Sequence, residues 1–172
     1  MTDFVTLHSV LVIAAAMALL FAAAHDVAVR TVPNSVPLVV AAAGLSLRLM
    51  DGHLAGALIA GALVFAGAWY CWRRSWIGGG DVKLLSACVL LVPPGSAPML
   101  IFGTAVSGGV LALIYVAVAQ ILPYGARPRS ANLVRRVWHA ERRRIRRRQS
   151  LPYACAIVAG AALTLFQPSF LS

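Results

Sequence analysis

The chain has 172 residues, 60% hydrophobic and 12% charged, with a mean hydropathy of +0.83. A soluble domain is about 45–50% apolar and roughly 25% charged, so composition argues against a water-soluble fold, and against disorder more firmly. Fifteen Lys and Arg against five Asp and Glu leave a formal +10, which in so apolar a chain points to membrane orientation before nucleic acid.

The apolar runs follow in chain order. Residues 5–24 carry no formal charge and have the length, about twenty residues, that a helix needs to cross roughly 30 Å of hydrocarbon. Ala22-Ala23-Ala24 resembles a signal-peptide cleavage site, but only Asp3 precedes the run and no basic region does, so we read a membrane helix. Residues 36–49 are short and carry Arg48 near their end, 54–72 are clear, and 82–92 stop at Pro93-Pro94. Alone, the last of these covers only about 16 Å and could be re-entrant. Residues 99–122 are clear, and 151–171 form the last run, with Pro152 near its start, where a missing N–H costs little.

Charge placement decides the two weak runs. With six spans, the connections at 25–35, 73–81 and 123–150 share one side. That side holds Arg30, Arg73, Arg74, Lys83 and every arginine between 127 and 148, leaving only Arg48 opposite. The positive-inside rule makes it cytoplasmic and the N-terminus external. The expected fold is therefore an all-α polytopic bundle of about six transmembrane helices, one membrane-embedded domain over 1–172. Cys71, Cys88 and Cys155 are scattered without metal spacing and read as core residues. Ala57/Gly61 and Ala156/Gly160 are small-xxx-small pairs that allow close helix contact.

Of the five acids, Asp3 is terminal, Asp51 falls in an outer turn and Glu141 lies among arginines. Asp26 and Asp81 differ, because the topology brings both to the cytoplasmic membrane edge, and ionisable groups at membrane depth mark functional sites. Two neighbouring carboxylates suit aspartyl hydrolysis. One takes a proton from water as it attacks the amide, the other polarises the carbonyl, and like-charge repulsion leaves the pair sharing one proton. The structural alternative pairs Asp26 with Arg30 four residues on and leaves Asp81 as a helix N-terminal carboxylate. Gly78-Gly79-Gly80 before Asp81 favours the catalytic reading, since glycines reach positive φ and let a substrate backbone approach.

Gly78-Gly79-Gly80-Asp81-Val82-Lys83-Leu84-Leu85 resembles the GxGD signature of the type IV prepilin peptidases. Asp26, followed by Arg30 and Val32-Pro33-Asn34, resembles their first-aspartate motif, with Val32 in place of the usual Ile. Leu151-Pro152-Tyr153-Ala154 with Ile157 and Gly160 resembles their closing segment, with Ala154 where Gly is common. The resemblance implies an aspartic endopeptidase of the bacterial inner membrane that removes the basic leader of prepilins at the cytoplasmic face, with the pilus assembly machinery as neighbour. It makes Asp26 and Asp81 the catalytic pair. Gly78, Gly79, Gly80, Lys83, Arg30, Pro33 and Asn34 then belong to the active-site loops. The short chain, without a Cys-rich insert, looks like the peptidase-only branch of tight-adherence (Flp-type) pili, with no methyltransferase activity. No metal or organic cofactor is implied.

Residues 132–149 are expected to form a basic amphipathic helix on the cytoplasmic side, between the fifth and sixth spans. Arg135, Arg136, Trp138, Arg142, Arg143, Arg144, Arg146, Arg147 and Arg148 would lie on anionic lipid. Nucleic acid is not expected as a partner, because no recognition module accompanies the charge. The alternative from another class is a small ion-coupled transporter or scaffold whose Asp26 and Asp81 bind a cation, with the short fourth run as a broken helix.

Overall fold

The computed structural model of the chain describes residues 2–121 and 151–165. The expected basic helix at 132–149 lies outside the described residues, as do the ends of the fifth and sixth predicted spans. The described residues form six α-helices and no strand: α1 (Thr2–Val29), α2 (Ser35–Met50), α3 (Leu54–Arg73), α4 (Gly79–Leu91), α5 (Ala97–Ile121) and α6 (Tyr153–Leu165), with a single 3-10 turn at Pro94–Ser96 before α5. Three stretches are long and apolar enough to cross a membrane, Val5–Val29, Leu54–Arg73 and Pro94–Val118. Apolar runs of this kind become helices because a chain in hydrocarbon must satisfy its backbone hydrogen bonds internally.

Two predicted boundaries move. The helix α1 continues through Asp26 to Val29, because nothing in His25-Asp26-Val27-Ala28-Val29 breaks a helix. It closes at Arg30, whose φ of 64° is left-handed and whose N–H bonds to the Asp26 carbonyl at 2.8 Å. Asp26 therefore occupies the last turn of α1, the helix end expected for it, and the connection begins after Val29 rather than at residue 25. Gly79 and Gly80, expected in a loop, form the first turn of α4, and Gly78 caps it at φ −73°. Positive φ does not explain this glycine run, since Gly52 alone among the described glycines has it.

The short helix α4 is the centre of the packing, flanked by α2, α3 and α6. It buries Val82, Leu84, Ala87, Cys88, Val89 and Leu91, which join Leu47, Leu100 and Ile157 in the core. Small residues set these contacts. A Cβ on Gly44 of α2 would stand 2.7 Å from the Leu90 carbonyl carbon, and one on Gly61 of α3 would stand 2.8 Å from Leu90 Cδ2. Ala57, Gly61, Ala156 and Gly160 are all buried, as their spacing predicts. The outward faces are apolar, with Leu38, Leu63 and Leu113 each about 70% exposed.

The segment from α4 to the 3-10 turn matches α3 end for end. A Cβ on Gly79 would stand 3.3 Å from Trp72 Nε1, and one on Gly56 would stand 3.1 Å from Pro94 Cγ. Thirteen helical residues supply about 20 Å. Val92 and Pro93, extended at ψ 157° and 144°, add about 3.3 Å each. Arg48, the one cation predicted on the far side, is 2% exposed. Its Nη2 lies 3.0 Å from Asp51 Oδ2, so its charge is paired where burial would otherwise be costly.

Candidate active site

The last turn of α1, the first turn of α4 and the N-terminus of α6 meet at one end of the bundle. Asp26 is 6% exposed, and its Oδ2 accepts the Ala154 N–H at 3.1 Å. That N–H is one of the unpaired donors at the start of α6, where the helix dipole favours a negative charge. One turn back on α1, the Ala23 carbonyl accepts the Cys155 thiol at 3.6 Å. The start of α6, far away in sequence, thus anchors the last turns of α1 around Asp26.

Asp81 occupies the third position of α4 and is half-buried. Its carboxylate accepts the Gly78 N–H, the reach-back half of a capping box. Asp26 and Asp81 lie within electrostatic reach of each other, as do Asp81 and Tyr153. The N-terminal role considered for Asp81 is therefore real, and it coexists with the proximity to Asp26.

Close approach bears on two of the glycines: a Cβ on Gly78 would stand 2.9 Å from Asp81 Oδ2 and one on Gly79 3.3 Å from Trp72 Nε1, whereas one on Gly80 would make an ordinary contact with Val32. Two hydrogen bonds fold the chain after α1 toward this turn. Nδ1 of His25 donates to the Thr31 carbonyl at 2.7 Å, and Nζ of Lys83 donates to Asn34 Oδ1 at 2.9 Å. Lys83 is two residues from Asp81, about 200° around α4, so it steadies the far side of the turn, at the mouth of an apolar groove of about 370 Å³ that reaches Leu38, Phe65 and Leu90. Pro33 ends the connection, its carbonyl accepting the Val36 N–H at 3.1 Å.

Arg30 turns toward α5. Its Nη2 lies 3.4 Å from the Tyr115 hydroxyl, and its guanidinium 5.9 Å from that ring's centre. A left-handed residue with a Cβ costs about 1 kcal/mol relative to glycine. Arg30→Gly should therefore keep near-native stability, trading the Tyr115 contact for lost strain. Arg30→Ala, which loses the contact and keeps the strain, should be less stable by about 1 kcal/mol. Thermal melts of the two purified variants check this, and equal melting temperatures would show that the backbone at this position is not strained.

Sequence reasoning missed Tyr115, Tyr153 and the Ala154 amide as neighbours of the site. For the last two the signal was present in the segment after Pro152. For Tyr115 there was none, because nothing marks one tyrosine in an apolar run. Among the described residues no group of three or more His, Cys, Asp or Glu could hold a metal ion.

No curated protein and no solved structure matches the chain. The type IV leader peptidase family matches residues 13–113, which include Asp26, Arg30, the glycine run and Asp81. That match covers more than half of the 172 residues, and the chain belongs to the type IV leader peptidase family.

Proposed function

We propose that the chain is an aspartic endopeptidase that removes the leader of type IV prepilins, with Asp26 and Asp81 as its acid/base pair. The observation that carries this reading is the convergence of the two carboxylates at one end of the bundle, with Asp26 buried against the Ala154 N–H. In the reaction, the ionised partner takes a proton from water as the water oxygen bonds to the scissile carbonyl carbon. The protonated partner hydrogen-bonds the carbonyl oxygen, and the tetrahedral intermediate then expels the amine as its nitrogen receives a proton. In this reading Asp26, held by the Ala154 N–H, is the base and Asp81 the acid.

Six crossings are part of the same proposal, with the external N-terminus, the active site at the cytoplasmic face and the bacterial inner membrane as location. The end-for-end match of residues 79–94 with α3 supports counting the fourth segment as a crossing. The distribution of arginines supports the orientation. A Flp-type substrate without N-methylation is supported by the resemblance and by the scattered cysteines. Anionic lipid beneath residues 135–148 remains part of the reading. A cation-binding transporter has only the two carboxylates and the short α4 in its favour.

The test is mass spectrometry of the N-terminus of a short prepilin with a basic leader, expressed with and without this protein. The leader is expected to be absent only in its presence, with the new N-terminus unmethylated. An intact leader in both samples would overturn the assignment.

A further inference from the structure

The Arg73 end of α3 carries an aromatic and cationic cluster that the peptidase reading does not use. Trp69, Tyr70, Trp72 and Trp76 are 43%, 51%, 48% and 70% exposed. The Arg73 guanidinium stacks 5.2 Å above the Trp69 ring and that of Arg74 5.2 Å above Tyr70. Nη2 of Arg74 also donates to the Tyr70 hydroxyl at 2.8 Å. Among the described residues neither arginine meets a carboxylate. Stacking fixes the planar forks while leaving donors open, the arrangement that suits phosphate oxygens.

Trp69, Trp72, Arg73 and Ser75 line one shallow cavity of about 400 Å³. Ser75 closes the helix with φ 59°. Its N–H bonds to the Trp72 carbonyl at 2.8 Å, and the Trp76 N–H bonds to the Cys71 carbonyl at 3.0 Å. Glycine is the ordinary residue at this left-handed closing position, and a serine there places a hydroxyl at the cavity instead.

What fits the cavity is decided by the surface that leads to it. Leu58, Phe65, Trp69 and Trp72 recur at helical spacing along α3, and all are exposed. The helix is long and apolar enough to cross a membrane, so this stripe runs from hydrocarbon depth to the arginines. An occupant must present apolar chains to the stripe and an anion to the forks. We propose that this end of α3 is a binding site for one anionic phospholipid, its phosphate between Arg73, Arg74 and Ser75 and its acyl chains along Leu58 and Phe65. The site adjoins the turn before Asp81 through Trp72, against which Gly79 packs, but it does not depend on the peptidase reading.

The experiment uses the full chain carrying Trp138→Phe, so that every remaining tryptophan (Trp69, Trp72 and Trp76) reports on this site. The protein is reconstituted in phosphatidylcholine vesicles containing equal small fractions of brominated phosphatidylglycerol or brominated phosphatidylcholine, and tryptophan quenching is read. An arginine near the surface enriches anionic lipid roughly fivefold, so the brominated phosphatidylglycerol should quench more strongly. The difference should vanish in Arg73→Gln/Arg74→Gln. The single variant Arg73→Gln, at an exposed helix end, should lower it if the double variant does not fold. Equal quenching by the two lipids in the parent protein would overturn the site. So would a preference that survives removal of both arginines, because it would belong to another surface. Inorganic phosphate should leave the preference intact against chloride of equal ionic strength, and its loss would mark a site for the free ion and overturn the lipid.

Discussion

Asp26→Asn and Asp81→Asn should each reduce prepilin cleavage by at least about a thousandfold, within the range that positioned acids and bases contribute, while membrane insertion is retained. The reason lies in what the amide can still do. Asparagine at 26 keeps an oxygen for the Ala154 N–H, so the junction of α1 and α6 keeps its shape. It can no longer take a proton from water. Asparagine at 81 keeps an oxygen toward the Gly78 N–H and cannot deliver a proton to the carbonyl side. Protein recovered in the membrane fraction, together with the mass of the prepilin N-terminus, checks both parts. Wild-type-like processing by either variant would rule out the pair as the catalytic machinery. Loss of insertion would assign the carboxylates to structure alone.

The largest stability effect is expected at a glycine far from the carboxylates. Gly160 of α6 lies against α5, where a Cβ would stand 2.5 Å from the Thr104 backbone nitrogen and 2.8 Å from its Cα. Neither atom can turn aside as a side-chain tip can, so Gly160→Ala must push the two helices apart. Overpacking costs about 1–3 kcal/mol even where side chains can adjust, and a backbone clash lies at or above the upper end. In a membrane, close packing is the main attraction between helices, so little else compensates. Gly67→Ala is the control of opposite sign. Nothing stands within 4 Å of its Cβ position, in the middle of α3, and alanine there should stabilise the helix by about 1 kcal/mol. Thermal unfolding in detergent should place Gly160→Ala well below and Gly67→Ala slightly above the parent. Equal stability for Gly160→Ala would show that α5 and α6 do not pack at this distance.

Much of the candidate site is legible in the sequence. Asp26, Arg30 and the glycines before Asp81 stand out because charge and glycine are conspicuous in apolar sequence. The end of α1 was not legible. Its true stop is a left-handed arginine, which no propensity marks. For the glycines, a positive φ and a close approach leave the same trace in sequence, and the backbone angles together with the positions of Trp72 and the Asp81 carboxylate separate the two.

By itself the sequence determined the helices and set Asp26 and Asp81 apart from the other acids. Hydrocarbon leaves an apolar chain no alternative to internal hydrogen bonding, and a charge at its edge must have a reason. The partners were decided by the tertiary structure. The amide that holds Asp26 comes from a residue 128 positions away, and the tyrosine that meets Arg30 from one 85 positions away. Contacts of that range depend on how the helices pack, and packing is set by small local shapes, such as the bare faces of Gly44 and Gly160, whose consequences no single stretch of sequence carries.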